Sequence, residues 1–184
     1  MLELNCRIAV EPLKRWRPAL SFFAATHSGD VRWGIVAVPP NGVGQGAGPT
    51  LVTDFTDAKT FASHLNGQQG AGGSDEPTLD ALFDIYGRKP TLPLSWRQGS
   101  SKVLLQLADE EAQSLRGLKT ADVLQEIQKG LLVAKLVAYT DPMQVASAPS
   151  YEPLAKATGG WVDDVTSTDI PKMLTRALGV ANCP

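Results

Sequence analysis

The chain has 184 residues, 43% hydrophobic and 20% charged, with 17 basic and 19 acidic side chains and a net charge of -2. That size and apolar content suit one globular domain over residues 1–184, burying about 70% of its unfolded surface, and they exclude an intrinsically disordered chain. Near neutrality removes a general affinity for nucleic acid, which needs clustered Lys and Arg, and no apolar run reaches the ~18 residues of a membrane span.

The N-terminal segment Met1 to Cys6 lacks the basic and apolar regions of a signal peptide. Leu2, Leu4, Cys6, Ile8 and Val10 alternate with polar Glu3, Asn5 and Arg7, Ala9 being the exception, a pattern for a strand buried on one face rather than a central parallel strand. A helix is expected from Pro12 to Ala25. Its Lys14-Arg15-Trp16-Arg17 cluster reads as a solvated face, with an anion patch as the lesser alternative. Val31 to Val38 is an apolar strand stopped by Pro39-Pro40, and a glycine-rich loop follows from Asn41 to Pro49. Thr50 to Thr53 is a short strand. Thr56 is a candidate cap for a helix to Asn66, with Ala58, Phe61 and Leu65 on one face. A second glycine-rich loop, Gly67 to Gly73, precedes a helix opened by Pro77 and striped by Leu79, Leu82, Phe83 and Tyr86.

After a Pro-rich connector, Lys102 to Leu107 is a buried strand. Thr120 is the candidate cap of a helix carrying Val123, Leu124, Ile127 and Leu131. Leu132 to Tyr139 is a strand, Tyr151 to Thr158 a short helix, Trp161-Val162 a brief strand, and Asp169 caps a last amphipathic helix. Strand–helix alternation with apolar strands predicts a doubly wound α/β fold, a mostly parallel sheet with helices on both faces. Ligands of such sheets sit beyond the carboxyl ends of the strands. That directs attention to the loops after Val38, Val52, Leu107 and Tyr139 and to the one before Pro77.

Most chemical motifs fail on context. Gly42-Val43-Gly44-Gln45-Gly46-Ala47 fits a dinucleotide fingerprint formally, but strand-like Thr50-Leu51-Val52 follows where a helix must open. No Ser or Cys nucleophile has a triad context. Glu110 and Glu111 are adjacent and so do not converge on one atom. The two histidines, His27 and His64, have no metal-type spacing to the two cysteines, Cys6 and Cys183. Those cysteines either join the chain's ends as a disulfide or remain two unrelated thiols. The remaining constellation is oxygen-rich. Gly72-Gly73-Ser74-Asp75-Glu76-Pro77-Thr78 enters a helix, and Leu107-Ala108-Asp109-Glu110 leaves a buried strand, both at the expected carboxyl edge. A hydroxyl and carboxylates converging there would suit a hard divalent cation.

These segments, in this order, resemble the von Willebrand factor type A (vWA) domain, the family that includes the integrin I domains. The resemblance runs from about residue 12 to 180. Asp30 to Pro40 is similar to the family's second strand and Thr50 to Thr56 to its third. The segment ending in Thr78 resembles the second metal loop, with Thr78 at the ligand position and Asp75 as in the integrin-β-like version. Asp109 stands where the third metal loop has its acid. Tyr151-Glu152-Pro153-Leu154-Ala155-Lys156-Ala157-Thr158-Gly159-Gly160 is similar to the L-A-x-x-T-G-G stretch before the last strand. The family's first metal loop, D-x-S-x-S, has no counterpart, so three ligands are missing. The first central strand is then degenerate, absent from the chain or supplied by another chain.

The resemblance implies a Rossmann-type three-layer fold and a non-enzymatic module for protein recognition or adhesion. Thr78, Asp109 and Asp75 would be remnants of a site for Mg²⁺ or another divalent cation that bridges to a protein partner. It also implies neighbouring termini, which some members tie with a disulfide. A Cys6–Cys183 bond would place the protein outside the cytoplasm, in the extracellular space or cell envelope, while free thiols leave the cytoplasm open. The alternative is a metal-independent scaffold or assembly domain, and a doubly wound enzyme ranks last.

Overall fold

The apolar runs of the sequence become the middle of a sheet. A computed structural model of the chain describes residues 2–5, 10–27, 30–38, 48–67 and 76–179. In chain order the elements are β1 (Leu2–Asn5), α1 (Val10–Thr26), β2 (Trp33–Val38), β3 (Thr50–Thr56), α2 (Ala58–Gly67), α3 (Thr78–Tyr86), β4 (Val103–Ala108), α4 (Thr120–Gln128), β5 (Lys135–Thr140), α5 (Ser147–Ala157), β6 (Trp161–Asp164) and α6 (Ile170–Gly179). The six strands form one sheet in the order β3-β2-β1-β4-β5-β6. All neighbouring pairs are parallel except β2–β3, which is antiparallel and places β3 at an edge.

Every residue of β2 and β4 is buried, whereas β3 is half-buried or exposed throughout. That difference explains why β2 and β4 read as apolar runs, interrupted in β4 by the buried Gln106. Successive side chains along the inner strands alternate between two cores. One core joins Ile35, Leu105, Val137 and Tyr139 to Trp16 and Leu20 of α1, Phe61 of α2 and Leu174 of α6. The other joins Val36, Leu104, Leu136 and Ala138 to Leu82 and Tyr86 of α3, Val123 of α4 and Leu154 of α5. Three helices therefore cover each face of a mostly parallel α/β sheet.

Several expectations need correction. The central position is filled by this chain's own Leu2–Asn5, with Leu2 opposite both Ile35 and Leu105. It is neither absent nor supplied by another chain. The alternation to Val10 concealed this, because the strand has four residues and Val10 already begins α1. β3 continues to Thr56, so Thr56 does not cap α2. Asp57 does, with Oδ1 accepting the Thr60 N–H at 2.9 Å. Since β3 runs antiparallel, the loop after it lies at the amino edge of the sheet, away from the carboxyl rim. Thr120 is the first residue of α4 rather than its cap; Asp122 reaches back to accept the Lys119 N–H at 2.7 Å. The Lys14–Arg17 cluster contains a core residue: Trp16 is buried and donates Nε1–H to the Val165 carbonyl at 2.8 Å, tying α1 to the end of the chain.

Candidate functional site at the carboxyl rim

Because β1, β4, β5 and β6 run the same way, Asn5, Ala108, Thr140 and Asp164 all end at one edge. The segment from Asp109 to Leu118 leaves β4 there and crosses to the N-terminus of α3. That terminus has no side-chain cap of its own, since Pro77 precedes Thr78. Gln113 takes over this duty. Its side-chain oxygen accepts the Glu76 N–H at 2.9 Å, and its carbonyl accepts the Leu79 N–H at 2.9 Å. Its own N–H donates to Thr78 Oγ1 at 3.2 Å. One residue from the rim loop thus satisfies donors that a helix start leaves open.

The next turn of α3 is pinned by charge. Asp80 and Asp84, one helical turn apart, are both buried. Asp80 accepts hydrogen bonds from the Ser114 hydroxyl and, at 3.1 Å, from the Leu115 N–H. Arg116 donates to the Asp80 carbonyl and to Asp84 Oδ1, each at 2.9 Å, and Thr91 donates to Asp84 Oδ2 at 2.7 Å. Burial works against the charge on Arg116, but the hydrogen bond and charge of Asp84, and then those of Asp80, outweigh it. The guanidinium pKa is held above its ordinary value. On the other side the rim loop meets α5: Ser147 Oγ donates to the Glu110 carbonyl at 2.8 Å, and Ser150 Oγ accepts the Ala112 N–H at 2.8 Å.

Thr78 and the loop that starts at Asp109 therefore share one rim. Thr78 is fully buried beneath that loop, with its hydroxyl oxygen engaged by Gln113. Asp109 is half-buried directly after β4, and Glu111 is exposed. Asp75, Cys6 and Cys183 lie outside the described residues, as does the glycine-rich segment Gly42 to Ala47. Among the described residues, no group of three or more His, Cys, Asp or Glu side chains could hold a metal ion. The Thr78 hydroxyl oxygen accepts the Gln113 N–H at 3.2 Å and keeps a second lone pair.

Sequence reasoning missed Gln113, Ser114 and Arg116, which organise the rim. The available signal was Asp80 and Asp84, two acids four residues apart inside an otherwise apolar helix. Such a pair, once buried, calls for a cation and hydroxyls from elsewhere.

The chain matches no protein-family model and no curated protein sequence. Among solved structures it is similar to a von Willebrand factor type A protein from Catenulispora acidiphila. That alignment has a TM-score of 0.66 at 13% identity, covering 97% of this chain and 42% of the other. It is also similar to proximal thread matrix protein 1 from the mussel byssus, with a TM-score of 0.69 at 8% identity, covering 98% of this chain and 46% of the other. The chain spans less than half the length of either structure, and at these identities the shared property is the fold, which is vWA-like.

Proposed function

We propose that this chain is a non-enzymatic protein-recognition module of the vWA type, whose partner meets the carboxyl rim formed by the Asp109–Leu118 loop and the starts of α3 and α5. The fold likeness supports the general class. The observation that carries the specific reading is the cross-linking of the rim by Gln113 and by the Asp80–Arg116–Asp84 network. A loop held at both ends by part-buried hydrogen bonds presents one preformed surface, so little ordering entropy is lost on association. In this reading the rim is organised by the chain's own donors and acceptors, with the Gln113 N–H on the Thr78 oxygen.

A second reading keeps the cation. It is favoured by the position of Asp109, a half-buried carboxylate at the end of a central strand. Mg²⁺ or Mn²⁺ would then bind Asp109, Asp75 and the remaining lone pair of Thr78.

Thermal melting with Mg²⁺, with Mn²⁺ and with chelator separates the two. The first reading expects the same melting temperature in all three. The second expects stabilisation of about 2.7 kcal/mol at 100 times the dissociation constant, lost in Asp109→Ala. For recognition itself, a photo-crosslinker at exposed Glu111 should trap a partner, and Arg116→Ala should abolish the product. Crosslinking indifferent to the rim would refute the module. So would turnover of a small substrate that a rim substitution abolishes.

A further inference from the structure

The opposite pole of the sheet, where the parallel strands begin, carries a cavity of about 370 Å³. This lies within the size range of small-ligand sites. Five segments build its wall: His27 just after α1, the entry to β2, the end of antiparallel β3, the connector before β4 and the last turn of α6. Nothing in the recognition reading uses this pole.

The chemistry of the wall is specific. Phe55 and Trp96 form a tilted aromatic pair with centroids 4.7 Å apart, and both line the cavity while only half-buried. Their placement is fixed from behind by Asp54, whose Oδ1 accepts the Phe55 N–H at 2.8 Å and the Ser95 N–H at 3.0 Å. Three cationic side chains, Arg32, Arg97 and Lys102, line the same space. Arg97 is answered by Asp30, with Nη1 at 2.6 Å from its carboxylate and Nη2 at 3.1 Å from its carbonyl. The Lys102 ammonium donates to the Ser100 carbonyl at 2.8 Å, which supplies a dipole but no counter-charge. Among the described residues no carboxylate pairs with Arg32 or Lys102. The cavity therefore combines an exposed aromatic surface with a net positive charge.

We propose that this cavity is a binding site for a small aromatic carboxylate, with its ring against Phe55 and Trp96 and its carboxylate between Arg32 and Lys102. A flat ring recovers apolar contact on the aromatic pair, and the carboxylate supplies the anion that the two cations lack. A bare inorganic anion would satisfy the charges and leave the aromatic surface wet.

The test is a calorimetric titration of the whole chain with 2-naphthoate, alongside 2-naphthamide and inorganic phosphate. The proposal expects saturable naphthoate binding, at least ~tenfold weaker binding of the amide, and no displacement by phosphate. Arg32→Gln and Lys102→Gln should each weaken naphthoate by about tenfold, the scale of a charge-assisted contact, and Trp96→Ala should remove binding. Both charged residues approach solvent, so unchanged melting temperatures would show that these variants fold; amide shifts confined to residues 95–103 would locate the ligand independently. Absence of saturable binding, equal affinity for acid and amide, displacement by phosphate, or indifference to the Arg32→Gln/Lys102→Gln double variant would overturn the proposal.

Discussion

Arg116 is half-exposed, yet the two carboxylates it faces are almost wholly enclosed: its side chain is 43% accessible, against 2% for Asp80 and 5% for Asp84. Removing the guanidinium would leave both acids without their counter-charge. Arg116→Ala should therefore cost about 2 kcal/mol in urea unfolding at neutral pH, moderated because the arginine itself touches water. Arg116→Lys should recover only part of that, since one ammonium cannot reproduce the fork that sets Nε 3.4 Å from the Asp80 carboxylate and Nη2 2.9 Å from that of Asp84. Asp54 gives a pH signature. Burial raises its pKa, but hydrogen bonds from Ser95, and then from the Phe55 N–H, outweigh this and hold it below the usual 3.8. A depressed carboxylate contributes stability that is fully present above its unfolded value and lost as pH falls through its folded value. Asp54→Asn keeps an acceptor but not the charge. It should lower stability by about 1 kcal/mol at pH 7, and the gap from the parent should close as pH falls below 3.8. A gap that widened on acidification would contradict the assignment.

At the level of elements, the Thr158-Gly159-Gly160 turn between α5 and β6 shows why a short motif could be read. Thr158 Oγ1 accepts the Leu136 N–H and donates to the Ala155 carbonyl, both at 2.9 Å, so one hydroxyl joins helix to strand. Gly159 adopts a left-handed φ of 72°, and a Cβ on Gly160 would lie 1.7 Å from the Leu136 carbonyl oxygen. The backbone cannot move aside without breaking the pairing of β5 with β6. Gly160→Ala should destabilise by about 3 kcal/mol, the upper end of overpacking costs, measurable as a lowered urea midpoint. Each residue of this motif answers a local demand, which is why the residues themselves carry the signal. The same holds for β2 and β4, whose burial on both faces writes itself as apolar runs, broken in β4 by Gln106. The Asp109–Leu118 loop is different. Its contacts with α3 reach back more than thirty residues, and no periodicity or turn chemistry encodes which glutamine or arginine will arrive. The fold was therefore largely legible, whereas of the rim only Thr78 and the approach to Asp109 were.

For the whole molecule, the decisive fact is the place of β1. Among the described residues, β2 and β4 pair with each other's half of the sheet only through Leu2–Asn5, so this strand works as a keystone between two wings. Proline cannot donate to a ladder and is not tolerated in a central strand. Leu4→Pro should thus cost ~3 kcal/mol or more, and hydrogen exchange should show β2 and β4 losing protection together rather than in turn. Independent loss would mean that the wings are held by their helices alone. The keystone also sets an order of events. Its second neighbour, β4, lies about a hundred residues downstream, so loop closure over that distance precedes any reward from the pairing. During synthesis, residues 2–5 leave the ribosome ahead of both wings and must wait, unsheltered, for the later one to emerge. The central strand is made before either strand it joins and is enclosed only after the later of them.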